Sequence, residues 1–157
     1  MKPIIGISDK NIIGSISLLS IVLASEMVLY VKTRKAHWNV SGTNFYVLHQ
    51  AFEAQFKDLE KIIDQVAERL GVLGDHSIGT FSEFEKKSLV KEEGAKNQSP
   101  KECIKELLDD HEHLAMQIRK NIVTAEEHYL DAGTASFFTS LLEKHETMAW
   151  GLRRTLE

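Results

Sequence analysis

The chain has 157 residues, 43% of them hydrophobic and 27% charged, with a net charge of -4 at pH 7. That length supports one hydrophobic core, so residues 1–157 are expected to form a single domain. The mildly acidic balance argues against a duplex-binding domain, which normally carries a basic stripe or tail. The lone Cys103 excludes an internal disulfide, and a cytoplasmic protein is expected.

The first segment, from Asn11 to Ser25, carries no charge. A secretory leader is the alternative reading. However, four serines dilute the run, Glu26 interrupts it, and it is too short and too polar to span a bilayer. Its apolar residues keep a helical period at Ile12, Ile16, Leu19, Leu23, Met27 and Tyr30, with Asp9 as the expected N-cap. One heptad beyond Tyr30 the same face reaches His37, before a turn-forming Asn39-Val40-Ser41-Gly42. A second helix is expected from Phe45 through Phe52, Leu59 and Val66 to Leu70, closed by Gly71 and Gly74. The tight turn between the two makes an antiparallel hairpin.

From Asp75 to Gln98 the periodicity weakens, with Gly79, Gly94 and a lysine- and glutamate-rich run, although Thr80 to Phe84 could form a short helix. Ser99 as cap and Pro100 as first residue open a third long helix carrying Leu107, His111, Leu114, Ile118 and Tyr129. A fourth runs through Ala135, Phe138, Leu141, His145, Met148 and Leu152. The expected fold is all-α: a ferritin-like four-helix bundle with a long crossover between helices 2 and 3 that carries a short extra helix.

Imidazole and carboxylate together suit iron. The candidate ligands are His37, His49, Glu53, Asp64 and Glu68. His49 and Glu53, like Asp64 and Glu68, are four residues apart and share a helix face. The two carboxylates repel by a few tenths of a kcal/mol, which a cation would relieve. The plainer account is that Lys61, Gln65 and Arg69 screen them on a wet surface. His49 and Asp64 lie about 22 Å apart along one straight helix and within about 60° around its axis. One chain therefore cannot bring them to one metal, whereas two chains paired antiparallel along this helix could. The bundle-core alternative needs Glu-x-x-His, and no histidine here has glutamate three residues before it.

The stretch Lys35-Ala-His-Trp-Asn-Val-Ser-Gly42, then Phe45 to His49, then Asp64-Gln-Val-Ala-Glu-Arg-Leu70, resembles the signature of the Dps family of mini-ferritins. The likeness extends through Gly133-Thr-Ala-Ser-Phe-Phe138 to Ala149-Trp150. It implies a ferroxidase centre between two subunits, with His37, His49, Asp64 and Glu68 at its ligand positions and Glu53 where aspartate is usual. It implies a hollow homo-oligomer of twelve subunits that oxidises Fe(II), preferably with hydrogen peroxide, and stores ferric mineral. Such a protein protects against oxidative damage and serves iron homeostasis. Zinc could substitute at a di-iron centre of this kind.

Trp38 matches a family position suggested to intercept stray oxidising equivalents, or it packs at the helix end. Ser136 stands where an aspartate of the family's iron-entry pore is common, leaving Asp131 and nearby acids to supply the field. With only Lys2 and Lys10 ahead of the first helix, weak or absent DNA binding is expected. A nucleoid-binding shell with little iron chemistry is the alternative function. The run Asp109-Asp-His111-Glu-His113 is read as a solvated face plus one core histidine, and His145 as a satisfied core residue.

Overall fold

A computed structural model describes residues 3–92 and 98–157, so Lys2 and Gly94 lie outside the described residues. All regular structure among the described residues is helical: α1 Asp9–Asn39, α2 Phe45–Val72, α3 Phe81–Lys87, α4 Pro100–Val123 and α5 Ala132–Leu156. The all-α, ferritin-like expectation holds, including the short helix within the crossover.

Local chemistry sets the boundaries. Ser99 and Glu102 form a reciprocal capping box ahead of Pro100, and Thr80 and Glu83 form another at the start of α3. The cap of α1 is Ser8, whose hydroxyl accepts from the Asn11 amide at 3.3 Å, so Asp9 becomes the first helical residue rather than the cap. Asp9 still faces the positive end of the helix dipole.

α1 is long and apolar enough to cross a membrane by length and composition. Here that surface is spent on the bundle, with Leu19, Val22, Leu23 and Leu29 at most 2% exposed. Its serines serve the crossover. Ser25 Oγ donates to Ile21 O at 2.8 Å and accepts from Leu89 N at 3.0 Å. Beyond it the nearly buried Lys32 ammonium binds Lys91 O, Glu106 and Asp110 at 2.9, 2.6 and 2.5 Å. Burial alone would lower its proton affinity, but the two carboxylates outweigh that and raise it.

Cross-helix pairs give the directions. Tyr30 meets Phe56 and His37 meets His49, so α1 and α2 are antiparallel. Glu112 pairs with Arg153 and Arg119 with Glu146, so α4 and α5 are antiparallel as well. Gln55 reaches Met148 O and Gln65 meets Lys144, which sets α2 antiparallel to α5 and hence parallel to α4. A parallel neighbour needs a connection as long as the bundle, and residues 73–99 supply it.

The sequence pattern runs α4 straight through Tyr129, and the structure departs from this. After Val123 the chain widens into a π-turn, Thr124–His128, in which Tyr129 N bonds Thr124 O at 3.1 Å. Leu130 follows at φ 54, and Asp131 N reaches back to Ala125 O at 2.9 Å. This turn brings Tyr129 onto α1 at Gly14, where a Cβ would stand 2.4 Å from the ring. Gly14→Ala is expected to cost about 1–3 kcal/mol of unfolding free energy through that collision. In a Tyr129→Ala background the same change should become a gain of about 0.5–1 kcal/mol, the ordinary helix preference for alanine. Denaturant unfolding of the four proteins measures this, and an unchanged cost in the truncated background would refute the collision.

Candidate metal centre

The last carbonyls of a helix have no partner within it, and His37 O is one of these at the end of α1. His49 Nδ1 lies 2.9 Å from it, and His37 Nδ1 lies 2.9 Å from His49 O. A carbonyl oxygen only accepts, so each Nδ1 carries the hydrogen, and each neutral ring keeps its lone pair on Nε2. The two rings stack at 3.7 Å with planes 23° apart. Phe56 meets His37 edge-on at 5.2 Å, and Phe45 lies 5.0 Å from His49. Fixing a ring through an N–H to a backbone carbonyl is how metal-ligating histidines are generally oriented.

Glu53, one turn beyond His49, binds Lys57 at 2.5 Å. Lys57 holds its carboxyl below the usual glutamate range. Among the described residues, no three His, Cys, Asp or Glu side chains converge to hold a metal ion within one chain.

Asp64 and Glu68 lie further along α2, both exposed, with no hydrogen bond or ion pair among the described residues. The screening groups beside them are engaged elsewhere. Lys61 binds Asp58 at 2.9 Å, and Gln65 accepts from Lys144 at 2.9 Å. Arg69 turns to α5, giving Nη2 bonds to Thr134 Oγ1 at 3.0 Å and Asp131 Oδ1 at 3.2 Å. None of these three side chains makes a direct bond to Asp64 or Glu68. Gly133 makes the approach of Arg69 possible, since a Cβ there would stand 2.9 Å from the guanidinium.

Asp131 also departs from expectation. It is 1% exposed, caps α5 by accepting from Thr134 N at 2.9 Å, and binds Thr134 Oγ1 at 2.6 Å. Its charge is met by Arg69 and Thr134 rather than by solvent. Ser136 instead lines a cleft with the exposed Glu126 and Glu143. Trp38 is 63% exposed at the end of α1, with the Arg34 guanidinium 5.3 Å from its ring centre. Of the remaining histidines, His111 and His145 are fully buried while His113 is exposed, as the periodicity indicated. Sequence reasoning missed the core partner of His145, which is Glu26. The available signal was a carboxylate set among the uncharged residues of α1.

Comparison with known proteins places the chain in a family. A family model described as a ferritin-like domain matches residues 16–157, and the chain belongs to that class. A DNA protection during starvation protein of Helicobacter pylori is 34% identical over 139 residues, covering 88% of this chain and 96% of its own. A low temperature-induced protein of Nostoc sp. is 38% identical over 153 residues, covering 98% of this chain and 86% of its own. The Dps crystal structure from Vibrio cholerae superposes with a TM-score of 0.91 at 28% identity, covering 99% and 97% of the two chains. That structure is described as one of a broad superfamily of ferritin-like diiron-carboxylate proteins. Within the ferritin-like class, the chain is a member of the Dps family.

Arg69→Ala should cost on the order of 2–3 kcal/mol at pH 7, because it leaves a buried carboxylate short of its charged donor. Burial pushes the Asp131 carboxyl up, but the Thr134 hydroxyl and amide with the Arg69 charge outweigh this and hold it below the usual range. The stabilisation is thus present above the unfolded value of about 3.9 and lost as pH falls through the lower native one. Denaturant midpoints of wild type and Arg69→Ala should differ at pH 7 and converge towards pH 3.

Proposed function

We propose that this chain is a ferroxidase and iron-storing subunit whose catalytic centre forms between two copies. In this reading His37 and His49 of one copy, with Glu53 beside them, face Asp64 and Glu68 of another. The observation that carries it is a pair of incomplete half-sites. Two histidines are held through Nδ1 to backbone carbonyls, which leaves Nε2 as the atom that could ligate, and two exposed carboxylates of α2 have no hydrogen bond or ion pair among the described residues. They sit about 22 Å apart along α2, so a second chain is required to join them.

Iron here is substrate. Two ferrous ions held together each give one electron, and hydrogen peroxide takes both with two protons to become two waters. Delivering the electrons as a pair avoids the one-electron reduction that releases hydroxyl radical. The unprotonated Nε2 atoms and the carboxylate oxygens bind the ions. The Nδ1–H bonds to backbone carbonyls hold the rings in place and raise their basicity as ligands. Glu53 reaches further than the family's usual aspartate, and must leave Lys57 to reach the iron. Membership of the Dps family supports a hollow shell of twelve subunits with ferric mineral inside.

On adding peroxide to anaerobic Fe(II), wild type should oxidise it rapidly, and a His37→Ala, Asp64→Ala double variant should fall by on the order of 100-fold or more. A mixture tests the shared centre directly. His37→Ala and Asp64→Ala chains, each inactive alone, should regain activity when reassembled together. In a two-fold pair with one chain of each kind, one of the two sites carries neither change. Random pairing makes half the pairs mixed, so about a quarter of the sites return. No recovery would place the centre within a single chain.

The nucleoid-binding alternative has little to stand on near the N-terminus, where the one lysine among the described residues, Lys10, lies within the first turn of α1. Linear DNA should not shift with this protein at pH 7 and about 0.15 M salt, and a clear shift would reverse that assignment.

A further inference from the structure

The two hairpins form opposite layers of the bundle, since α1 packs on α2 and α4, and α5 packs on α4 and α2. The histidine pair, Asp64 and Glu68 all belong to the α1–α2 layer. The α4–α5 layer carries none of them, and its outer face has a pattern of its own.

α4 reads His111-Glu-His-Leu-Ala-Met-Gln-Ile-Arg119, and α5 reads His145-Glu-Thr-Met-Ala-Trp-Gly-Leu-Arg153. Each holds an acid, an apolar residue four positions on and an arginine three beyond that, a spacing that shares one side of a helix. Because the helices are antiparallel, the ends of the two patterns meet. Glu112 binds Arg153 at 2.5 Å, and Arg119 binds Glu146. Between these ion pairs stand Met116 and Trp150, 59% and 60% exposed. Val123, one heptad beyond Met116, is exposed as well. Single exposed apolar residues are ordinary. Here the same exposed position is apolar on both helices, and the two occurrences lie on one face.

We propose, on the basis of the shell-forming function proposed above, that the outer face of α4 and α5 around Met116 and Trp150 joins two-chain units into the shell by seating an unlike surface of a further copy.

A two-fold contact along α2 joins two copies and is then used up. Adding a second two-fold contact yields only rings or open chains of such pairs, so a closed shell requires contacts between unlike surfaces. The outer face of α4 and α5 lies on the far side of the bundle from the metal centre, so both contacts can be made at once. The four charges that frame it are paired with one another, which leaves little to draw a nucleic acid or a charged peptide. What remains to be covered is apolar, with tryptophan and methionine at the middle and ion pairs at the rim, the composition of a protein–protein contact. A further copy is the partner that a shell brings to every such face.

The test uses the full chain with Met116→Lys and Trp150→Glu, opposite charges placed at exposed helical positions that folding tolerates. Light scattering should find twelve chains in the wild type and two in the variant. The variant pair should keep the wild-type rate of peroxide-dependent Fe(II) oxidation per chain, but shed its ferric product as a precipitate. A variant that still gathers twelve chains, or that falls to single chains, would overturn the proposal. So would a wild type that stops at two. Iron oxidation is scored on every species, so a failed catalytic reading is not mistaken for a failed surface.

A second measurement does not depend on that variant folding. Trp38→Phe leaves Trp150 as the only tryptophan. In the assembled protein its emission should lie to the blue of water-exposed tryptophan and resist quenching by acrylamide. Free access of the quencher to Trp150 would leave the face to some other partner and overturn the proposal.

Discussion

An uncharged stretch of fifteen residues near the start of a chain must be kept from water, and the rest of this molecule is arranged around doing so. The run Asn11–Ser25 could serve as a leader or as half a membrane span, and composition alone does not separate those uses from a core helix. Here α2, α4 and the crossover close over α1. The serines that make the run a poor membrane segment turn into anchor points, Ser25 holding the crossover backbone at Leu89. Burial of this one helix thus fixes the hairpin with α2 and the path of the long connection. It also fixes the place where Glu26 enters the core.

The same architecture pushes metal chemistry outward. A bundle core filled by Leu19, Phe52, Leu59 and Phe138 leaves no room for a cluster of carboxylates. Among the polar groups admitted there, Glu26, His145 and His111 bond to one another in sequence. The candidate ligands lie outside that core, His37 near the end of α1 and the other four along α2, and along α2 they are spaced further apart than a straight rod can bring together. His49, Asp64 and Glu68 share this origin: α2 gives its apolar stripe to the core, which leaves these residues on its other faces. Arg69 shows how closely these are linked, since the side chain next to Glu68 is also the one that seats the cap of α5.

Most of the fold was legible in the sequence because each helix announces itself twice, by an apolar stripe and by its ends. Ser99-Pro100 and the Asn39 to Gly42 turn fall within a residue of where the structure puts them. The exceptions have local causes. Ser8 took the cap from Asp9 because the hydroxyl one residue earlier reaches the Asn11 amide. The π-turn after Val123 was invisible because its residues continue a helical pattern, and only the hydrogen-bond register distinguishes it. At the candidate site, residue types and spacings could be read directly. The direction in which Lys61, Arg69 and Asp131 point could not, because each chooses a partner supplied by an element distant in sequence or by a competing neighbour. Asp131 is the clearest case: as text it is an acid near a pore, and in the fold it is a buried cap.

The widened turn at Thr124–His128 has a consequence of a different kind, in how such a chain can vary over its history. Adding one residue to an α-helix rotates everything downstream by about 100°, which would swing α5 away from the core. A π-turn takes up an extra residue within a single loop of the spiral, and the backbone recovers its course by Asp131. Length can therefore change at this point by one residue while Asp131 still meets Arg69 and the following helix keeps its buried face. The segment has the geometry of an expansion joint in a fold that otherwise records every residue added to it.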